Sequence, residues 1–293
     1  MLLKTPPEFS LAQNLAYLAR SSDEVLHTLT EAGTIFKALP LTGGPILFKL
    51  HGTAEGLEVT FLNRPPEQTE RVAVAEYVRQ WFDLTTDLRP FYRLGRQDAV
   101  LAALLRRYYG LRLIGIPDLF EALAWAIIGQ QINVAFAYTV KRRFVETFGE
   151  QLTHEGRSFW LFPRPELVAG LKPADLRPLQ FSIRKAEYII DLARLLADGH
   201  LSKAQLAALG HFEPMQQALT AIRGVGHWTA NYVLMRCFQH PAAFPMADVG
   251  LHNALKQAYG LAQKPTPAEI KARFRPWQGW EAYLTFYLWR VLL

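Results

Sequence analysis

Asp248 is the acid best placed to do chemistry. It follows Phe244-Pro245-Met246-Ala247 and stands just before the helical run that opens at Val249. A carboxylate there accepts from the free N–H groups of a first helical turn, and the helix dipole favours its charged form. On pattern alone a simple capping aspartate is the plainer reading. The other is a charge available for electrostatic or general-base catalysis. Upstream, Trp228 and Tyr232 lie four residues apart and share a helix face. Trp280, Tyr283, Phe286, Tyr287 and Trp289 crowd the end of the chain at helical spacing, which more often marks a core than a ligand site.

Leu219 to Tyr232 reads as a helix that ends in Gly224-Val225-Gly226 and a second helix that starts at once with His227-Trp228-Thr229. Both glycines can take positive φ without a Cβ penalty, so a tight turn is expected. Successive N–H groups beside a helix N-terminus form an anion site that suits a DNA phosphate. A plain linker between two helices is the alternative.

Together, Leu219-x-x-Ile222-x-Gly224-Val225-Gly226, Trp228-Thr229-Ala230-Asn231-Tyr232 and Phe244-Pro245-x-x-Asp248 resemble the helix-hairpin-helix plus Gly/Pro/Asp motif of the base-excision DNA glycosylase superfamily. Within it the likeness is to the alkylation-repair branch, DNA-3-methyladenine glycosylase II. The resemblance puts the catalytic aspartate at Asp248, where an ionised carboxylate would stabilise the positive charge that builds on a sugar losing its base and orient the attacking water. It makes Gly224, Val225, Gly226, His227 and Thr229 the DNA-gripping turn. Trp228, Tyr232 and Trp289 match rings that stack on a flipped base, with Tyr17 a further wall. Alkylated purines such as 3-methyladenine are cationic, so such rings add cation–π attraction.

Three further points rest on the same resemblance. Gln131, beside Gln130, falls at the position that fills the gap left by the displaced nucleotide, where some relatives place an apolar wedge; read alone, the two amides at a helix break are capping or solvent groups. Arg184 and Lys185 match a helix start that touches phosphate, or else are an ordinary solvated helix start. Relatives that also nick the strand carry a lysine two residues after the second turn glycine, where this chain has Trp228. A Schiff base is excluded there, and the expectation is a monofunctional enzyme that uses water. Nothing supports His227 or Lys185 as a stand-in. The carbonyls matching Thr220, Ile222 and Gly224 hold a monovalent cation in the family, so a structural Na+ or K+ is carried over with no independent sign in the sequence. No cofactor is required. Acting on deaminated or mismatched bases, or holding DNA without catalysis, are the competing readings.

The elements that must position these residues are mostly helical. Residues 1–90 read as a small α+β domain and residues 91–293 as an all-α region, with the hairpin at about 214–234 and the aspartate loop at 244–248. In the first part helices are expected over Leu11–Leu18 and Asp23–Glu31, strands over Ile46–Leu50 and Leu57–Phe61, and a helix over Glu67–Phe82 with Val72, Ala75, Val78 and Phe82 inward. The family places a domain resembling the TATA-binding-protein fold here, although two strands are fewer than it needs. From Leu88 on strand signals vanish. Asp118 and Glu121 have capping-box spacing before a helix apolar nearly all round. The next helix, Val134–Phe148, is expected to expose Lys141-Arg142-Arg143. Residues 149–180 read as a loop-rich link, and Thr266-Pro267-Ala268-Glu269 as another capping box.

Charge is uneven. Residues 1–90 carry eight Lys/Arg against eleven Asp/Glu, and residues 91–293 carry twenty-four against fifteen, so the second part is the one suited to a polyanion. The single cysteine, Cys237, excludes an intrachain disulfide and a cysteine-based metal site, and reads as a small buried hydrophobe. Met1-Leu2-Leu3-Lys4 gives way to prolines and polar residues, and no apolar run reaches the ~20 residues of a membrane span. The expectation is an intracellular, cytoplasmic monomer whose partner is double-stranded DNA with a damaged base, and no membrane.

Overall fold

The computed structural model describes residues 1–292. A five-stranded antiparallel sheet, ordered β1-β5-β4-β3-β2, is built from β1 (Leu2–Leu3), β2 (Thr28–Leu29), β3 (Ile35–Leu39), β4 (Ile46–Thr53) and β5 (Gly56–Phe61). Helices α1 (Leu11–Leu18) and α2 (Gln68–Trp81) accompany it. The two expected strands are present as β4 and β5, and the other three make up the shortfall. The fold is mainly helical with this small N-terminal sheet, as expected.

The first part departs from expectation twice. Asp23–Glu31 is not a helix. Glu24 accepts from the Leu26 N–H and pairs with Lys141, Asp23 takes the Thr139 hydroxyl, and Thr28–Leu29 pairs with β3, so tertiary partners override the local pattern. On α2 the buried line is Val74, Ala75, Val78 and Trp81, continuing to Phe82, while Val72 faces solvent.

The helical region begins with α3 (Arg89–Leu94) and α4 (Ala99–Arg107), then the central α5 (Leu119–Gly129) and α6 (Val134–Phe148). Asp118 caps α5 through the Glu121 N–H, but Glu121 turns its carboxylate to Lys141, so the reciprocal half of the expected capping box is missing. Lys141 is correspondingly buried between Glu24 and Glu121 rather than exposed. Strands also return after Leu88: β6 (Gln151–His154) and β7 (Arg157–Trp160) form a hairpin, with Glu155 and Gly156 both at positive φ in its turn. Phe159 and Leu161 pack on Ala38 and Leu47, on the face of the sheet turned away from the main core, which explains the unbroken apolar run at the start of β4.

The short helices α7 (Pro165–Ala169) and α8 (Pro173–Leu176) lead to α9 (Ile183–Ala197), α10 (Lys203–Ala207), α11 (Phe212–Thr220) and α12 (His227–Arg236). The chain ends with α13 (Val249–Ala258), α14 (Pro267–Phe274) and α15 (Glu281–Trp289). The Thr266/Glu269 capping box closes as expected with Pro267 at the first helical position. Cys237 is buried at the end of α12. Among the described residues no helix is long and apolar enough to cross a membrane.

Candidate DNA-binding hairpin and active site

α11 and α12 are joined by a turn whose geometry is set by one glycine. Gly224 has φ +88°, and a Cβ on it would stand 2.4 Å from the Tyr188 ring, so glycine is required for conformation and for space. Gly226, expected to share that freedom, is extended (φ −89°, ψ 179°) and serves as the N-cap of α12 with no side chain covering the amides behind it. Gly226 and His227 are exposed, while Val225 and Thr229 are buried, so any contact these last two make with an anion is through the main chain. The first turn of α12 thus presents uncovered N–H groups at a positive helix end.

The loop after α5 is tied to this turn. The Gln130 amide donates to Gly224 O (2.9 Å) and to the Thr229 hydroxyl (3.1 Å). Lys185, on the first turn of α9, donates its ammonium to Ile128 O (2.7 Å) and Gln130 O (2.6 Å). Gln131 is exposed at the loop tip with φ +57°. Arg184 is exposed beside Lys185. Three separate segments that the resemblance singled out therefore meet.

Asp248 caps α13 through the Leu251 N–H (2.7 Å to Oδ1). Two indoles complete its shell: Trp289 Nε1 donates to Oδ1 at 2.9 Å and Trp228 Nε1 to Oδ2 at 3.1 Å. The carboxylate is partly exposed and accepts three N–H bonds, and among the described residues no cationic side chain is in salt-bridge contact with it. Capping and chemical availability are therefore properties of the same side chain. His252, one turn on, directs its ring to Met246 O (2.8 Å) and steadies the preceding loop.

The aromatic residues form a packed cluster beside that carboxylate, in which Trp228 and Trp289 are half-buried and Tyr17, Tyr232 and Phe286 are buried. Ring centroids are 5.5 Å apart for Trp228–Tyr232, 6.1 Å for Tyr232–Trp289, 6.1 Å for Phe286–Trp289 and 4.5 Å for Tyr17–Phe286. All four residues singled out for base stacking are thus linked through rings in contact, with Phe286 joining Tyr17 to the rest. Sequence reading missed the support beneath them. Arg236 is buried and donates to the hydroxyls of Tyr17 (3.0 Å) and Tyr232 (2.8 Å) and to Ile114 O (2.7 Å), while the Trp125 indole donates to Tyr232 at 2.8 Å. Arg20 lies 3.9 Å over the Tyr17 ring. Burial raises the Tyr232 phenol above its ordinary value although Arg236 pulls the other way. Arg236 could have been found from sequence, since it lies four residues from Tyr232; Trp125, on another helix, could not.

At the proposed cation carbonyls, Ile222 O accepts the Val225 N–H and Gly224 O accepts the Gln130 amide. Each keeps a second lone pair. No group of three His, Cys, Asp or Glu is placed to hold a metal among the described residues.

A hairpin with uncovered amides, and a carboxylate bonded to two indoles of an aromatic cluster, are features of the base-excision class of DNA-binding fold. The chain belongs to the HhH-GPD superfamily of base excision DNA repair proteins, whose model matches residues 124–279; the model of the 8-oxoguanine DNA glycosylase N-terminal domain matches residues 19–123. It is 44% identical to the DNA-3-methyladenine glycosylase of Bacillus subtilis over 100% of this chain and 97% of that protein. It is 32% identical to DNA-3-methyladenine glycosylase 2 of Escherichia coli over 61% of this chain and 60% of that protein. Among solved structures, the 3-methyladenine DNA glycosylase of Archaeoglobus fulgidus shares the fold, with a TM-score of 0.85 at 23% identity over 99% of this chain and 97% of that one.

Proposed function

We propose that this chain is a DNA glycosylase that removes alkylated bases, 3-methyladenine and related purines, from duplex DNA by hydrolysing the N-glycosidic bond of a flipped nucleotide. The observation that carries the reading is Asp248 held between the indoles of the half-buried Trp228 and Trp289. Extruding the nucleotide costs a few kcal/mol and is easiest at a damaged pair. A cationic base then gains stacking and cation–π attraction from these rings. As the bond breaks, positive charge moves to the sugar, where the Asp248 carboxylate stabilises it and orients water. The names of the relatives support this substrate class.

The enzyme acts without strand cleavage on this reading. Trp228 occupies the position of the lysine in strand-nicking relatives, and the Lys185 ammonium is tied to two carbonyls. Gly226 and His227 take the DNA phosphate, Arg184 adds charge, and Gln131 enters the gap in the duplex. A monovalent cation on the carbonyls of Thr220, Ile222 and Gly224 would bridge hairpin and phosphate, and hard oxygen donors with free lone pairs suit it. The protein works as a monomer on double-stranded DNA.

The test is a panel of lesion duplexes treated with wild type and Asp248→Asn, scoring free base and strand breaks separately. Release of 3-methyladenine by wild type only, leaving an intact strand with an abasic site, supports the proposal. Release of deaminated bases alone moves the substrate class, and no release with retained duplex binding leaves only a DNA-holding role.

A further inference from the structure

Gly250 has no conformational reason to be glycine. It is the second residue of α13, it is absent from the positive-φ positions, and alanine is ordinarily the better helix residue. What it supplies is space. A methyl group on its Cα would stand 2.9 Å from Asp248 Oδ1 and 3.4 Å from Trp289 Nε1, the two atoms that share the 2.9 Å bond. The carboxylate has no easy retreat, because Oδ1 also takes the Leu251 N–H and Oδ2 takes the Trp228 indole.

We infer that Gly250 is a positioning residue of the reaction: its missing side chain lets Asp248 and Trp289 lock together, so that the charge proposed to face the sugar and the indole beside it hold a single relative geometry. This rests on the glycosylase reading of Asp248 for its catalytic consequence, but not for its structural one. A displacement of the carboxylate approaching 1 Å costs about a hundredfold in rate in favourable cases.

Three variants, Gly250→Ala, Trp289→Phe and the pair combined, test it, with methylated duplex DNA as substrate and a duplex carrying a stable abasic analogue as the binding probe. Gly250→Ala should lower kcat for free-base release about ten- to a hundredfold, with melting temperature and abasic-duplex Kd unchanged. In the Trp289→Phe background the same alanine should cost much less, because the bond it disrupts is already gone. The independent readout is the indole N–H spectrum of the seven tryptophans, in which Trp289 is assigned by its loss in Trp289→Phe. Its signal should move in Gly250→Ala. An unmoved indole signal, or an alanine cost equal in both backgrounds, overturns the inference. If Gly250→Ala does not fold, the double variant decides it, since removing the indole relieves the crowding: a folded double variant supports the inference and an unfolded one sinks it. If wild type releases no base at all, the function proposal falls, while the indole signal still judges Gly250.

Discussion

Trp228 and Asp248, twenty residues apart in the chain, meet at 3.1 Å through the indole N–H and the carboxylate. A ring proposed to stack on the substrate is thereby bonded to the group proposed to act on the sugar. The hairpin helix α12 and the acid-bearing loop are held in register by that contact.

Asp248→Asn keeps one acceptor for the indoles and removes the charge. Base release should fall about 10²–10³-fold, the size of losing one preorganised electrostatic group, while affinity for an abasic-analogue duplex stays close to wild type. Single-turnover release and equilibrium binding measured on the same protein separate the two.

Lys185→Met should loosen the loop that carries Gln131. The lysine makes two bonds to carbonyls that no other side chain takes over, a loss of about 1–3 kcal/mol. Burial already pulls its ammonium below the ordinary lysine value, so the two carbonyls are what compensate the charge. A lower melting temperature and weaker duplex binding are expected, and on the monofunctional reading proposed above neither wild type nor variant nicks the strand. Binding and nicking assays on the variant check both.

Lys141→Met would strand Glu24 and Glu121, whose carboxylates it pairs at 3.1 and 3.2 Å in a buried setting. Breaking such a pair from one side costs about 3–5 kcal/mol. Chemical denaturation should show it directly, and Glu121→Gln in the same background should recover part of the loss.

Acid sensitivity should begin well above carboxylate range. Burial pushes His27 down to about 4 although Glu24 beside it pulls upward. Between the unfolded value of 6.5 and about 4 the unfolded chain takes up a proton that the folded one refuses. Stability is therefore full above 6.5, declines as pH falls, and levels off below about 4, a change of up to about 3 kcal/mol. Burial alone would raise Glu24, but Lys141 holds it at about 2, so its contribution is lost later, from 4.5 downward. His27→Gln should flatten denaturation midpoints across the upper window and leave the lower one.

The hairpin turn, the cap at Asp248 and the Trp228–Tyr232 ring contact were legible because each is carried by local spacing: a Gly-x-Gly turn, an acid before a helical run, aromatics four apart. What stayed hidden was set across the chain. Asp23–Glu31 lost its helix to partners on α6, Lys141 went inward because two acids from different segments wait there, and β6–β7 formed around Glu155-Gly156, a pair weaker in turn signal than Asn-Gly. Arg236 is the mixed case: its bond to Tyr232, four residues back, is local, whereas Ile114 and Tyr17 lie 122 and 219 residues away. Gly226 shows the converse, a local signal of positive φ that the fold uses only at Gly224.

The contact between Tyr17 on the first helix and Phe286 on the last has a consequence for how this protein can be altered. The rings beneath Trp289 are braced by residues 17 and 286, whereas the α11–α12 turn is braced from α5 and α9. On the proposed reading, a cavity made at Tyr17 or Phe286 should therefore erode lesion choice before it erodes hold on the duplex.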